Sequence, residues 1–142
     1  MGLKLNLKAG ERVIINGAVI TAEKATSIIL HNMASVLSER HVIRPDEATT
    51  PARRLYYAIQ CSYVATPDEL TAYLRDVEIL LNDYETATTI AETHANLRAM
   101  RSMVEGHRYY DAMRLCRDLI KYEDMILGMH SKQKAAHSFM PE

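Results

Sequence analysis

Little in this chain of 142 residues points to catalysis, secretion or a membrane. Gly-x-Gly-x-x-Gly, a phosphate-binding loop, His-Glu-x-x-His and a Gly-x-Ser-x-Gly elbow are all missing, so nucleotide-dependent, zinc-peptidase and serine-hydrolase chemistry have no framework here. The six histidines are scattered. Glu92 and His94 are two apart, so on a helix they point about 200° apart and cannot share a metal. Cys61 and Cys116 are the two cysteines. They are distant, lack a Cys-x-x-Cys partner and fall on apolar helix faces, which reads as buried free thiols of a reducing compartment. No apolar run approaches a membrane span, those near the start being as short as Ile28-Ile29-Leu30, and no charged-then-apolar leader precedes it. Met1-Gly2 fails the myristoylation pattern because position 6 is Asn6. The expectation is a cytoplasmic protein that is not an enzyme and uses no metal, cofactor, small-molecule substrate or membrane.

What is present is patterned. Apolar side chains make up 48% of the chain, enough for one compact domain with a core of its own. Leu3, Leu5 and Leu7 alternate with Lys4, Asn6 and Lys8, the period of a half-buried strand. Gly10 allows a reversal, and Asn16-Gly17 between Val13-Ile14-Ile15 and Val19-Ile20 is the pair suited to a type I′ hairpin turn. The chain is therefore expected to open as a β-meander, with a further strand at Thr26–His31. Val36-Leu37 and Val42-Ile43 add a short pair of open type.

The polar, Pro-bounded run from Pro45 to Thr50 is the joint to a helical part. Thr50 is the expected N-cap with Pro51 at the first helical position, and Thr66-Pro67-Asp68-Glu69 reads as a capping box. Leu70, Tyr73, Leu74, Val77, Leu80, Leu81 and Tyr84 then form a helical stripe. Asn82, Asp83 and the threonines at 86, 88 and 89 lower the propensity, so the helix either breaks there or continues to Val104. Gly106 caps that segment, and a last helix puts Tyr109, Ala112, Met113, Cys116, Leu119 and Ile120 on its core face. The fold class is α+β: a β-rich part over 1–48, three to four helices over 49–130 packed on it, and a flexible tail over 131–142.

Thr50-Pro51-Ala52-Arg53-Arg54 and Gly106-His107-Arg108-Tyr109-Tyr110-Asp111-Ala112, taken with the opening hairpin, resemble the FlbT family in order and spacing. The likeness runs from Leu3 to about Asp124 and departs at Ala9, where the family has Pro, and at Ser38, where it has a basic residue. The resemblance implies a cytoplasmic, post-transcriptional regulator of flagellin synthesis that binds flagellin mRNA near its 5′ untranslated region. The alternative is a protein-interaction adaptor or chaperone-like partner of a FlaF-type protein or of flagellin, with any RNA effect indirect.

Charge bears on that choice. From Met1 to Arg54 eight basic residues stand against five acids, a balance of +3 that leaves −4 for the remainder of a chain with net charge −1. A basic front on an acidic helical back suits phosphates on one side and protein on the other. Lys4, Lys8, Arg12, Arg53, Arg54 and Tyr57 are the candidate RNA-binding residues. Arg53, Tyr57 and Gln60, at i, i+4 and i+7, line up as a basic-aromatic helix face, which also reads as plain solvated surface. Arg54 has a structural alternative, pairing with Asp46 or Glu47. His94 reads as a hydrogen-bonded core or interface histidine. A second apolar line on the last helix, Leu115, Tyr122, Met125 and Met129, exceeds what one packing surface needs and is the candidate protein interface of a dimer or heterocomplex.

Overall fold

The computed structural model describes residues 2–138, with side chains as far as Gly128. Five strands come first: β1 (Leu3–Leu7), β2 (Arg12–Ile15), β3 (Ala18–Thr21), β4 (Thr26–Leu30) and β5 (Val36–Ser38). Asn16 and Gly17 both have positive φ, 51° and 84°, as the type I′ turn between β2 and β3 requires. The other pairings are not those of a meander. β1 pairs antiparallel with β4, Leu3 opposite Leu30, as a two-stranded sheet, and β2 lies between β3 and β5 in a three-stranded one. Asn16 reinforces the β2–β5 edge, its side-chain oxygen accepting from the Ser35 N–H at 2.9 Å. Val42 and Ile43 form no strand; a 3-10 turn at Glu39–His41 diverts the chain before them.

Four helices follow: α1 (Pro51–Val64), α2 (Pro67–Ala87), α3 (Ala91–Glu105) and α4 (Tyr109–Ser138). Thr50 caps α1 by accepting from the Arg53 N–H at 3.2 Å, and Glu69 reaches back to the Thr66 N–H at 3.3 Å at the start of α2. The expected break falls at Thr88–Ile90, where His94 Nε2 lies 2.7 Å from the Thr88 carbonyl oxygen. The end of α3 is a Schellman arrangement: His107 N–H donates to the Val104 carbonyl and Arg108 N–H to the Met103 carbonyl. Gly106 is the cap residue, but the left-handed position belongs to His107, at φ 61°. α4 continues to Ser138, past the expected start of a loose tail at 131, because no Gly or Pro interrupts Lys132 to Ala136. The last residues of that tail, 139–142, lie outside the described residues.

The main core gathers Leu37 of β5 with Leu55, Tyr56 and Ile59 of α1, Val77 and Leu81 of α2, Leu97 and Met100 of α3, and Met113 and Cys116 of α4. A smaller one holds only Leu7, Val13 and Ala22 fully, with Leu5, Ile15, Ile28 and Val36 beside them. The leucine face of β1 thus runs from exposed Leu3 to buried Leu7. Helix α1 is central, packing on both α2 and α4.

Candidate nucleic-acid interface

The Thr-Pro-Ala-Arg-Arg segment is first of all a joint. Pro51 has no N–H to satisfy; the next one, Ala52 N–H, donates to Glu123 Oε2 of α4 at 2.9 Å. Ala52 is fully buried, so the two helices approach where a larger side chain would not fit. Arg53 then makes a two-point pair with Asp124, at 2.9 and 3.0 Å, and keeps only 11% of its side chain exposed. Arg53 is therefore committed inside the fold. Gln60 is also committed: Ile43 N–H donates to its Oε1 and its Nε2 donates to the Ile43 carbonyl, both at 2.9 Å. The expected face of Arg53, Tyr57 and Gln60 is consequently not one solvent surface. Burial of polar helix residues against partners far along the chain overrides their helical alignment.

Arg54 and Tyr57 do come together. They line an open groove of about 330 Å³ between α1 and α2, with Cys61 from α1 and Tyr73, Asp76 and Leu80 from α2. Burial first, and then the neighbouring Cys61 thiol, raise the Tyr57 phenol above its ordinary range. Burial likewise pushes the Cys61 thiol up, so it is a neutral wall of the groove. Among the described residues no ion pair holds Arg54. Asp46 and Glu47, its expected partners, pair with Arg44 instead, Asp46 at 3.2 Å. The groove thus offers an exposed guanidinium, two phenol rings and one carboxylate around apolar walls.

The remaining candidates are dispersed. Lys4 is exposed on β1, and Lys8 lies in the turn after it, its backbone N–H donating to Glu11. Arg12 is exposed but paired with Glu39 at 2.8 Å, which raises the Arg12 pKa and lowers that of Glu39. On α4, Leu115 is partly buried and packs against the main core. Tyr122 is half-buried beside Tyr84, Ile126 and Leu127, and Met125 is 60% exposed. The Met129 side chain lies outside the described residues.

Residues 3–127 match the model of the family described as flagellar protein FlbT. The chain belongs to the FlbT family. It is 36% identical over 131 residues to the flagellum biosynthesis repressor protein FlbT of Caulobacter vibrioides, covering 90% of this chain and 91% of that one. It is 37% identical to the probable repressor FlbT of Caulobacter sp. strain K31, over 90% and 98% of the two chains, and 35% identical to that of Rhizobium leguminosarum, over 90% and 85%. No solved structure matches the chain. In FlbT terms, the motif residues that the sequence marked divide by role: Thr50, Ala52, Arg53, Gly106 and Ala112 build the fold, while Arg54 and Tyr57 face an open groove.

Sequence reasoning missed Tyr73 and Asp76 as groove residues. Tyr73 belongs to the apolar stripe of α2 and was legible only as core; Asp76 carries no local signal. No helix among the described residues is long and apolar enough to cross a membrane.

Proposed function

We propose that this chain is a cytoplasmic, non-catalytic, post-transcriptional regulator of flagellin synthesis that acts by occupying flagellin mRNA near its 5′ untranslated region. The relatives' name, flagellum biosynthesis repressor, supports regulation of flagellar synthesis and gives repression as its sign. The observation that carries the RNA reading is the groove in which Arg54 stands beside Tyr57 and Tyr73. An unstacked base fits between phenol rings whatever its identity, each such stack being worth about 1 to 3 kcal/mol. Arg54 can hold the adjoining phosphate, and Asp76 can accept from a base N–H. Lys4 and Lys8 add exposed positive charge that draws a polyanion toward the protein.

The test is a gel shift of the flagellin leader, with unrelated RNA as competitor and a series of salt concentrations. Retardation by the wild type, weakened in Arg54→Gln and Tyr57→Ala, is the expected result. A wild-type protein that fails to retard the leader at any salt concentration overturns the reading.

A second reading, an adaptor for a second copy, a FlaF-type protein or flagellin, is favoured by the consecutive exposed residues Met125, Ile126 and Leu127 on α4. Such a contact would depend little on salt, unlike one made to phosphates. Met125→Asp should then reduce the mass seen by light scattering or abolish partner pull-down; if both are unchanged, the contact lies elsewhere.

A further inference from the structure

Arg117 of α4 and the turn that carries Arg40 and His41 come together on the other side of α1. Tyr56 lies 200° around that helix from Arg54, so its side chain leaves the helix away from the groove. Its hydroxyl donates to the His41 carbonyl at 2.6 Å, which brings the 3-10 turn Glu39–His41 against the core. Arg117 of α4 reaches the same hydroxyl, Nη1 at 3.5 Å, while its guanidinium sits 5.9 Å above the centre of the Tyr110 ring. A planar cation is thereby held beside a phenol oxygen and an aromatic face, and among the described residues that oxygen is the acceptor its N–H donors reach.

The surroundings are cationic. Burial, then Arg117, then Arg40 lower the His41 pKa, so the two arginines both bear on one imidazole. Arg114, Arg117 and Lys121 stand at i, i+3 and i+7 on α4, within about 60° of one another. Nearby carboxylates are largely engaged: Glu39 pairs with Arg12 and Asp111 with Arg108. Asp118, exposed on α4, is the acid that shares the row. Among the described residues no ion pair holds Arg40, Arg114, Arg117 or Lys121. Like charges held together without counter-charge cost stability, and an anion relieves that cost.

We infer that Arg117 and Arg40, with His41 beside them, form a second, phosphate-binding contact for single-stranded RNA, on the side of α1 opposite the Arg54–Tyr57 groove. The inference rests on the RNA-occupancy function proposed above and gives that RNA a path around the molecule: base recognition on one side of α1, backbone neutralisation on the other. A planar, pre-oriented guanidinium with neighbouring point charges suits a phosphodiester.

The experiment measures anisotropy of a fluorescein-labelled oligouridylate over a series of salt concentrations. Each lost phosphate contact on a single strand flattens log affinity against log salt by about 0.7, so Arg40→Gln with Arg117→Gln should flatten it by about 1.4 and weaken low-salt binding about tenfold. Arg117→Lys should keep most of the slope. Tyr57→Ala should lower affinity and leave the slope alone, because stacking releases no counterions. If loss of the Arg117 contacts lowers the melting temperature, Arg40→Gln alone, at an exposed position, should still flatten the slope by about 0.7. A wild type that binds no oligouridylate overturns both the inference and the RNA reading. A wild type that binds, with an unchanged slope in these charge variants, overturns the inference alone. Displacement by polyglutamate as effective as by RNA assigns the site to an acidic polypeptide and overturns it also.

Discussion

Tyr56 and Tyr57 are neighbours in the chain and opposites in the fold. Tyr56 is 2% exposed, its hydroxyl spent on the His41 carbonyl and the Arg117 side chain. Tyr57 lines an open groove with Arg54. The difference extends along α1: Tyr56, Gln60 and Tyr63, at i, i+4 and i+7, each hydrogen-bond the backbone of the segment between Val36 and Ile43. One face of the helix is a row of polar clasps that replaces the strand pairing Val42 and Ile43 never make. The other face leaves Arg54, Tyr57 and Cys61 for solvent or a ligand. A polar residue on a helix thus says nothing of its employment until its partner is known.

The largest expected effect comes from breaking the clasp. Gln60→Ala strands both the N–H and the C=O of Ile43 in a partly buried place, and unsatisfied groups of that kind cost about 1 to 3 kcal/mol each. A loss of roughly 3 kcal/mol in urea denaturation is expected. Next is Gly17→Val. Gly17 has φ 84°, where a β-branched residue is strained, and a Cβ there would meet the Val64 carbonyl oxygen at 3.1 Å, at the end of α1. We expect a loss of about 2 kcal/mol; an unchanged melting temperature would show that the strained turn position does not limit stability.

These two sites also mark what could be read in advance. The Asn-Gly turn, the Thr50 cap, the break after Ala87 and the core faces of α2 and α4 are local: each rests on residues within a few turns, where propensity and period act directly. The pairing of β1 with β4 is not local, nor is the bond from Arg53 to Asp124, 71 residues away. Apolar period reports which residues are buried, but a buried polar residue is recognisable only by its partner. So Arg53 and Gln60 read as surface, Tyr73 read as core, and the approach of Arg117 to the turn at Glu39–His41 had no linear trace. The groove was half legible, through Arg54 and Tyr57 alone.

Alkali should sharpen the contrast between the adjacent tyrosines. Burial raises the Tyr56 pKa from 10.0 to about 12, so above pH 10 the unfolded chain releases a proton that the native state retains. Its contribution to stability is complete below pH 10 and is lost as the pH rises toward 12. Tyr84, also raised to about 12 chiefly by burial, behaves the same way. Tyr56→Phe should therefore flatten the fall of unfolding free energy over that range, followed by denaturation at successive pH values. A fall as steep as in the wild type would place the alkaline loss elsewhere.

The smallest effect on the fold is expected at Tyr57, and it separates the two faces most directly. Its ring is only partly buried where it lines the groove, so Tyr57→Ala should cost under about 1 kcal/mol of stability. The same change removes one stacking platform and should weaken binding of the flagellin leader by about 1 to 3 kcal/mol. Gln60→Ala measured at a temperature where it remains folded should reverse that pattern, with lower stability and near-normal affinity. The pair of variants, compared by denaturation and by anisotropy, decides whether α1 has one structural and one binding face. Equal losses of affinity in both would mean that the groove feels the clasp, and the assignment of separate faces would fail.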